Sequence, residues 1–242
     1  MKKRLLIGLG ILLGALLLTA GVIAVFFPGI VACRAVSVLY PNMDRTIPVF
    51  GMSDEVPDNY VWHDADGLYI AVPADLRMKE NGHGFQSADG KETPVFMLVS
   101  DPKALAQYLP DMWEDHSYDR ADYEHFFRTA GVPCPETSDD LLWYCKGSLM
   151  PETVLGMRGR DKKIFLEFAF DKQQMWETEN TWELPLEGGK AYVCQGISPM
   201  MQKTAPWSLL IFPEEGKNYH LIFRGLDDQT VRQIISSVTL AA

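Results

Sequence analysis

Hydrophobic and polar residues follow three regimes along the chain. The first is the apolar run Leu5–Phe27, in which Thr19 carries the only polar side chain. At about 1.5 Å per residue a helix of this length measures roughly 35 Å, enough to cross a hydrocarbon core of about 30 Å with some tilt. The run therefore predicts a transmembrane helix over 5–27, ended by Pro28-Gly29. The second regime, 28–60, is mixed. Pro41, Pro48 and Pro57 favour extended backbone there, so it reads as a juxtamembrane linker whose Val36, Val38 and Leu39 pack on a domain or graze the membrane. From 61 to 242, periods of two and of 3.6 alternate, which predicts one folded domain.

Within that domain, Asp66-Gly67 is a turn signal ahead of Leu68, Ile70 and Val72, a half-buried strand. Glu80–Gly90 is a polar, glycine-rich loop, and Val95–Val99 is an apolar run suited to a strand covered on both faces. Helices follow. Leu105, Tyr108, Leu109 and Met112 share a face after Asp101-Pro102. Tyr123, Phe126, Phe127 and Ala130 form a second stripe that Gly131 and Pro133 end. A third short helix opens at Ser138 and runs to about Lys146. Beyond Pro151 alternation returns. Val154–Met157 and Lys163–Phe170 read as a hairpin about Arg158–Asp161, with Ile164, Leu166, Phe168 and Phe170 on one face. Glu183–Leu186 with Ala191–Ile197, and Ser208–Phe212 with Tyr219–Arg224, read as two further hairpins. Asp227-Asp228 caps a last helix with Val231, Ile234, Ile235 and Val238 inward. The order predicts an α+β fold, a mainly antiparallel sheet with helices packed on it.

Charge sets the expected orientation. Residues 1–4 include Lys2, Lys3 and Arg4, and the next charge is Arg34. The cationic end should stay cytoplasmic and the domain should be exported across a bacterial cytoplasmic membrane. A retained signal anchor, a lipoprotein acylated at Cys33 in Ile30-Val31-Ala32-Cys33, and ordinary signal-peptidase cleavage are the three fates. Gly10 and Gly14, with Gly21, leave a face on which two such helices would approach closely, a route to a homodimer. Net charge is −10, and removing the three N-terminal cations takes it to −13. So acidic a domain repels phosphate backbones and argues against nucleic acid as a partner.

Four cysteines, at 33, 134, 145 and 194, form no C-x-x-C pair. Cys134 and Cys145 either close a short disulfide loop or stay reduced, and Cys194 reads as a buried thiol in a strand. The densest polar cluster is Asp111–His125, with Asp111, Glu114, Asp115, His116, Asp119, Asp122, Glu124 and His125. Asp122 and His125 at i, i+3, joined by His116, form a mixed nitrogen and oxygen set of the kind that binds a divalent cation. A solvated acidic helix face explains the same residues. His63, His83 and His220 are scattered, Gly82-His83-Gly84 lies in a loop, and no G-x-S-x-G, H-E-x-x-H or phosphate-binding glycine loop is present. No catalytic, cofactor-binding or metal residue is assigned, and no cofactor is expected. Trp62, Trp113, Trp143, Trp176, Trp182 and Trp207, with Met150, Met157, Met175, Met200 and Met201, either fill cores or line an apolar groove. The stretches 175–182 and 195–206 read as loops carrying exposed apolar groups, which would form a partner-binding patch if they meet in space.

Asp66–Met78 (DGLYIAVPADLRM) and Tyr219–Leu240 (YHLIFRGLDDQTVRQIISSVTL) resemble the opening strand and turn, and the closing strand and helix, of PsbP-like domains. These are α-β-α sandwiches that include bacterial lipoproteins and membrane-anchored proteins, so the resemblance implies an α-β-α sandwich-like arrangement in which the helical stretch at about 101–147 is an insertion. Leu76 stands where that group often has an aromatic. The resemblance implies a binding or accessory role and brings no shared catalytic residues. The expectation is a membrane-anchored, extracytoplasmic, non-catalytic protein that binds an envelope protein or a hydrophobic ligand. The alternatives are a metal-dependent envelope enzyme using the 111–125 cluster and a structural subunit of a membrane assembly.

Overall fold

A computed structural model describes residues 2–53, 55–101, 118–196 and 206–241. The helix expected over 105–112 lies outside them. Helix α1 spans Lys2–Phe26. Phe27, at φ −131° and ψ 56°, is not helical, and the axis cannot run straight through it. Pro28 then occupies the first position of a new helix, α2 (Pro28–Leu39), where its missing N–H costs nothing. The segment after the apolar run is thus helical, not extended. Ala32 and Val36, one turn apart, are buried in the domain, as is Met43 in the 3₁₀ turn Pro41–Asp44. The prolines act only from position 41 onward. None lies between Gly29 and Leu39, and apolar residues one turn apart decide that stretch.

Among the described residues, ten strands form two antiparallel sheets. A three-stranded sheet has the order β1-β2-β10, from Tyr60–Ala65, Leu68–Pro73 and Thr239–Leu240. A seven-stranded sheet has the order β3-β4-β5-β9-β8-β7-β6. Its strands are Leu76–Met78, Gly84–Ser87, Val95–Ser100, Asn218–Phe223, Trp207–Pro213, Gly189–Gly196 and Glu179–Leu184, in that order. The stretch 80–90 is therefore not wholly loop, since β4 crosses it. Asp66 and Gly67, at φ 60° and 93°, make the two-residue turn that joins β1 to β2, with Ala65 opposite Leu68. Positive φ at both positions matches the twist of the flanking strands, which explains an Asp-Gly pair here.

The helices of the domain pack into two separate cores. Helix α3 is Arg120–Ala130, opened by a reciprocal Asp119/Asp122 capping box and closed by Gly131 at φ 77°. Helix α4, Ser138–Trp143, passes into a π turn at Tyr144–Ser148. A 3₁₀ segment (Pro151–Gly156) leads to α5 (Gly159–Thr178), and α6 (Asp228–Ser236) is capped by Asp227, which accepts from the Thr230 N–H at 2.9 Å. The hairpin expected at 154–170 is therefore absent. Ile164, Phe165, Phe168, Ala169, Lys172, Gln173 and Trp176 are all buried, at spacings of one, three and four. Leu166 is only partly buried and Phe170 is exposed, so the every-other-residue pattern is a subset of a wider helical stripe.

Two cores result. In one, Val231, Ile234 and Ile235 of α6 pack with Leu68, Ile70 and Val72 of the small sheet on Val95, Met97, Leu209, Ile211, Leu221 and Phe223 of the large sheet. Ser237 fixes that layer: its hydroxyl accepts from the Ala71 N–H at 2.9 Å. The other core is helical. Ala32, Val36, Met43, Phe126, Phe127, Val154, Ile164, Phe165 and Phe168 meet in it, so α2 is one wall of the domain.

Candidate functional site

A hollow lies where turns from both sheets converge. It is a cleft of about 800 Å³, lined by Asp66, Asn81, Gly82, His83, Met97, Val99, Ser100, Asp101, Gly216 and Lys217. The topology assembles it. Antiparallel pairing of β5 with β9 sets Ser100 opposite Asn218, so the end of β5 meets the β8–β9 turn. The β3–β4 turn arrives beside them because Gly84 pairs with Phe96. Gly84 has φ 113°, and a Cβ there would stand 2.0 Å from the Val95 carbonyl oxygen. Only glycine permits that approach. Ahead of it the Asn81 side chain accepts from the His83 N–H at 3.1 Å, while the His83 carbonyl accepts from the Met97 N–H at 3.4 Å.

The charged rim is already paired. Lys217 donates to Asp66 at 2.5 Å, and the Tyr219 hydroxyl donates to the Asp66 carbonyl at 2.6 Å. The Asp66 hydrogen bond and charge hold the Lys217 ammonium above its usual pKa. Burial, then the Asp66 charge, pushes the Tyr219 phenol up. Both partners of the ion pair are more than half exposed, so the pair orients the two turns and adds little stability. Below it, buried Met97 and partly buried Val99 form an apolar floor. Such a site suits binding of a small group with one apolar side and several hydrogen-bonding positions.

The acidic cluster read from the sequence is divided. Asp111, Glu114, Asp115, His116 and Trp113 lie outside the described residues. Asp119 and Asp122 serve the cap of α3, and Asp122 also takes both hydrogen bonds from Arg160, at 2.6 and 2.7 Å. That guanidinium holds the Asp122 carboxyl below its ordinary pKa. Glu124 pairs with Arg120 one turn away, and His125 Nδ1 lies 2.9 Å from Asp161. The Asp122 and His125 contacts lock α3 to α5. Among the described residues, no group of three or more His, Cys, Asp or Glu is placed to hold a metal ion.

The aromatic residues have separate places. Trp62 and Trp143 are exposed, and Trp176 is buried under Arg45, whose guanidinium carbon stands 5.4 Å from the ring centroid. Trp182 stacks on Trp207 at 5.6 Å, with Phe50 edge-on to both and Arg232 over Trp207. The stretch 175–182 is no loop, because α5 runs directly into β6 there. Met157 is core and Met175 is packed against it, while Met200 and Met201 lie outside the described residues. Cys134 is a free thiol, half-buried, and so is Cys33; the Cys145 side chain lies outside the described ones. Cys194 is buried as expected. His63 and His220 both titrate below the usual imidazole range because they are desolvated. Of the described histidines, His83 borders the cleft.

Two buried lysines escaped the sequence pattern. Lys172 donates to the Met43 and Leu149 carbonyls at 3.1 and 2.9 Å. Lys146 pairs with Glu179, donates to Thr181 at 2.6 Å and stands 3.9 Å from the Cys194 sulfur. Nothing in their local sequence marks them, since their partners come from elements far along the chain. The cleft was half legible: Asp66-Gly67 reads as a turn and Ser208–Phe212 with Tyr219–Arg224 as a hairpin, but nothing in the sequence makes the two neighbours.

In comparisons with known proteins, no family model and no curated protein matches the chain. What the fold defines is an α+β domain behind one apolar N-terminal helix. That helix, Ile7–Phe26, is long and apolar enough to cross a membrane, which suits an anchor or a signal sequence.

Proposed function

We propose that this is a single-pass membrane protein whose α+β domain works outside the cytoplasm as a non-catalytic binding or accessory module of the bacterial envelope. The sheet-end cleft is where it engages a ligand or a partner's polar group. One observation supports the anchor most strongly. The most apolar stretch of Ile7–Phe26 has mean hydropathy 2.6 and is 0% buried, so the domain shields none of it from solvent. Burying one large aliphatic side chain is worth about 1.5–3 kcal/mol, so a whole helix of them demands an apolar phase. The fate of the helix follows from what comes after it. Cleavage ahead of Cys33 would remove Ala32, a member of the helical core, together with the first turn of α2. Retention of the anchor therefore fits the packing better than acylation of Cys33. At Gly10 and Gly14 a Cβ would meet nothing within 4 Å, which leaves their face open to a second copy.

The test is a reporter fused after Ala242 in the full chain, combined with the intact mass of the membrane-extracted protein. An active periplasmic-type phosphatase reporter and a mass that includes residues 1–27 are expected. A reporter active only in the cytosol, or a mature N-terminus beyond Phe27, would overturn the reading.

A further inference from the structure

We infer that α2 lies in the headgroup region of the bilayer and seats the domain directly on the membrane; this rests on α1 being a retained anchor. Helix α2 has two apolar sides. One, through Ala32 and Val36, belongs to the domain core. The other carries Ile30, Val31, Val38 and Leu39, which are 47, 43, 79 and 65% exposed, and exposed Arg34 lies on the same side, one turn from both Ile30 and Val38. Arg34 is the only charge in the helix. A face turned only to water would carry more polar groups than this single cation.

The occupant follows from the connection. Only Phe27 separates α2 from α1, and Phe27 breaks the axis. Twelve residues at about 1.5 Å each make a helix of roughly 18 Å that starts where the anchor leaves the hydrocarbon. The Leu155 backbone abuts Gly29, so the 3₁₀ segment holds the first turn of α2 against the domain. An in-plane helix buries its apolar side by about 5–10 Å at the acyl boundary. That depth keeps Val38 and Leu39 out of water while Arg34 reaches lipid phosphate, as long cationic side chains do at interfaces. The same helix is a wall of the domain, so the orientation of the domain on the bilayer is fixed by packing, without a flexible tether.

The test uses full-length protein in vesicles of phosphatidylethanolamine and phosphatidylglycerol. A benzophenone amino acid is placed at Leu16, at Val38 or at Glu214, all outside the cores, and illumination is followed by mass spectrometry. Lipid adducts at positions 16 and 38, with none at 214, are the expected result. An adduct at 16 alone would refute the seating of α2 and leave the anchor standing. No adduct at 16 would remove the anchor and this inference together, and equal labelling at 214 would also refute it.

Discussion

Gly29→Ala puts two effects in direct competition at the joint between anchor and domain. A Cβ at position 29 would stand 2.3 Å from the Leu155 carbonyl oxygen and 2.9 Å from its C and Cα, where ordinary contact begins at 3.4 Å. All three are backbone atoms, so α2 and the 3₁₀ segment must separate by about 1 Å, the shortfall of that closest contact. Val36 and Val154 are buried at that interface, at 1% and 0% exposure. Burial of such side chains is worth about 1.5–3 kcal/mol each. A gap of roughly 0.5–1 Å forfeits about a quarter to a half of dispersion contact. The loss is then on the order of 1–3 kcal/mol. Against it, glycine to alanine in a helix interior gains up to about 1 kcal/mol, and less at the second position of a first turn. Packing wins, and the variant should be less stable by about 1–2 kcal/mol on these terms. Urea unfolding of the full chain in detergent, followed by far-ultraviolet circular dichroism, measures it. Gly8→Ala is the control, because nothing stands within 4 Å of that position and it lies away from the Gly10 and Gly14 face. A Gly29→Ala protein as stable as the wild type would refute the close joint between α2 and the domain.

Further outcomes follow from the same physics. Gly84→Ala should cost about 2–4 kcal/mol by thermal unfolding, because alanine meets both a forbidden φ and the Val95 carbonyl; a loss under about 1 kcal/mol would contradict the strand pairing there. His220 is desolvated and its folded pKa lies below the ordinary 6.5. The unfolded chain therefore takes up the proton first, and stability present above about pH 6.5 declines as pH falls from there toward the folded pKa. His220→Gln should flatten that part of the stability profile, and an unchanged slope would count against its burial. Lys146→Met removes the cation from Glu179, which is itself about a third exposed and can rehydrate. The expected loss is about 2–3 kcal/mol, below that for a fully buried pair, and Lys146→Met with Glu179→Gln together should recover part of it. Chelator should leave the melting temperature unchanged; a downward shift would revive a metal role for the cluster around His116 and His125.

The sequence by itself determined what depends on neighbours within a turn or a strand pair. The apolar run of α1, the Asp-Gly turn at 66–67, the stripe and Gly131 stop of α3, and the Asp227 cap of α6 are all local chemistry, and each has the element predicted for it. The α+β class follows from their order. Tertiary structure decided the rest. Residues 163–170 satisfy both a strand and a helix pattern, and only a core that receives Phe165 and Ala169 as well as Ile164 and Phe168 selects the helix. Proline spacing suggested a linker after Phe27, yet Ala32 and Val36 are helical because Val154 and the aromatic residues of α3 and α5 bury them in one core. The cleft joins residues from 66 to 217, and Lys146 meets Glu179 across more than thirty residues. Side-chain period reports which face of an element is apolar. It carries no information about which distant surface covers that face, and that pairing places the cleft and the buried side of α2.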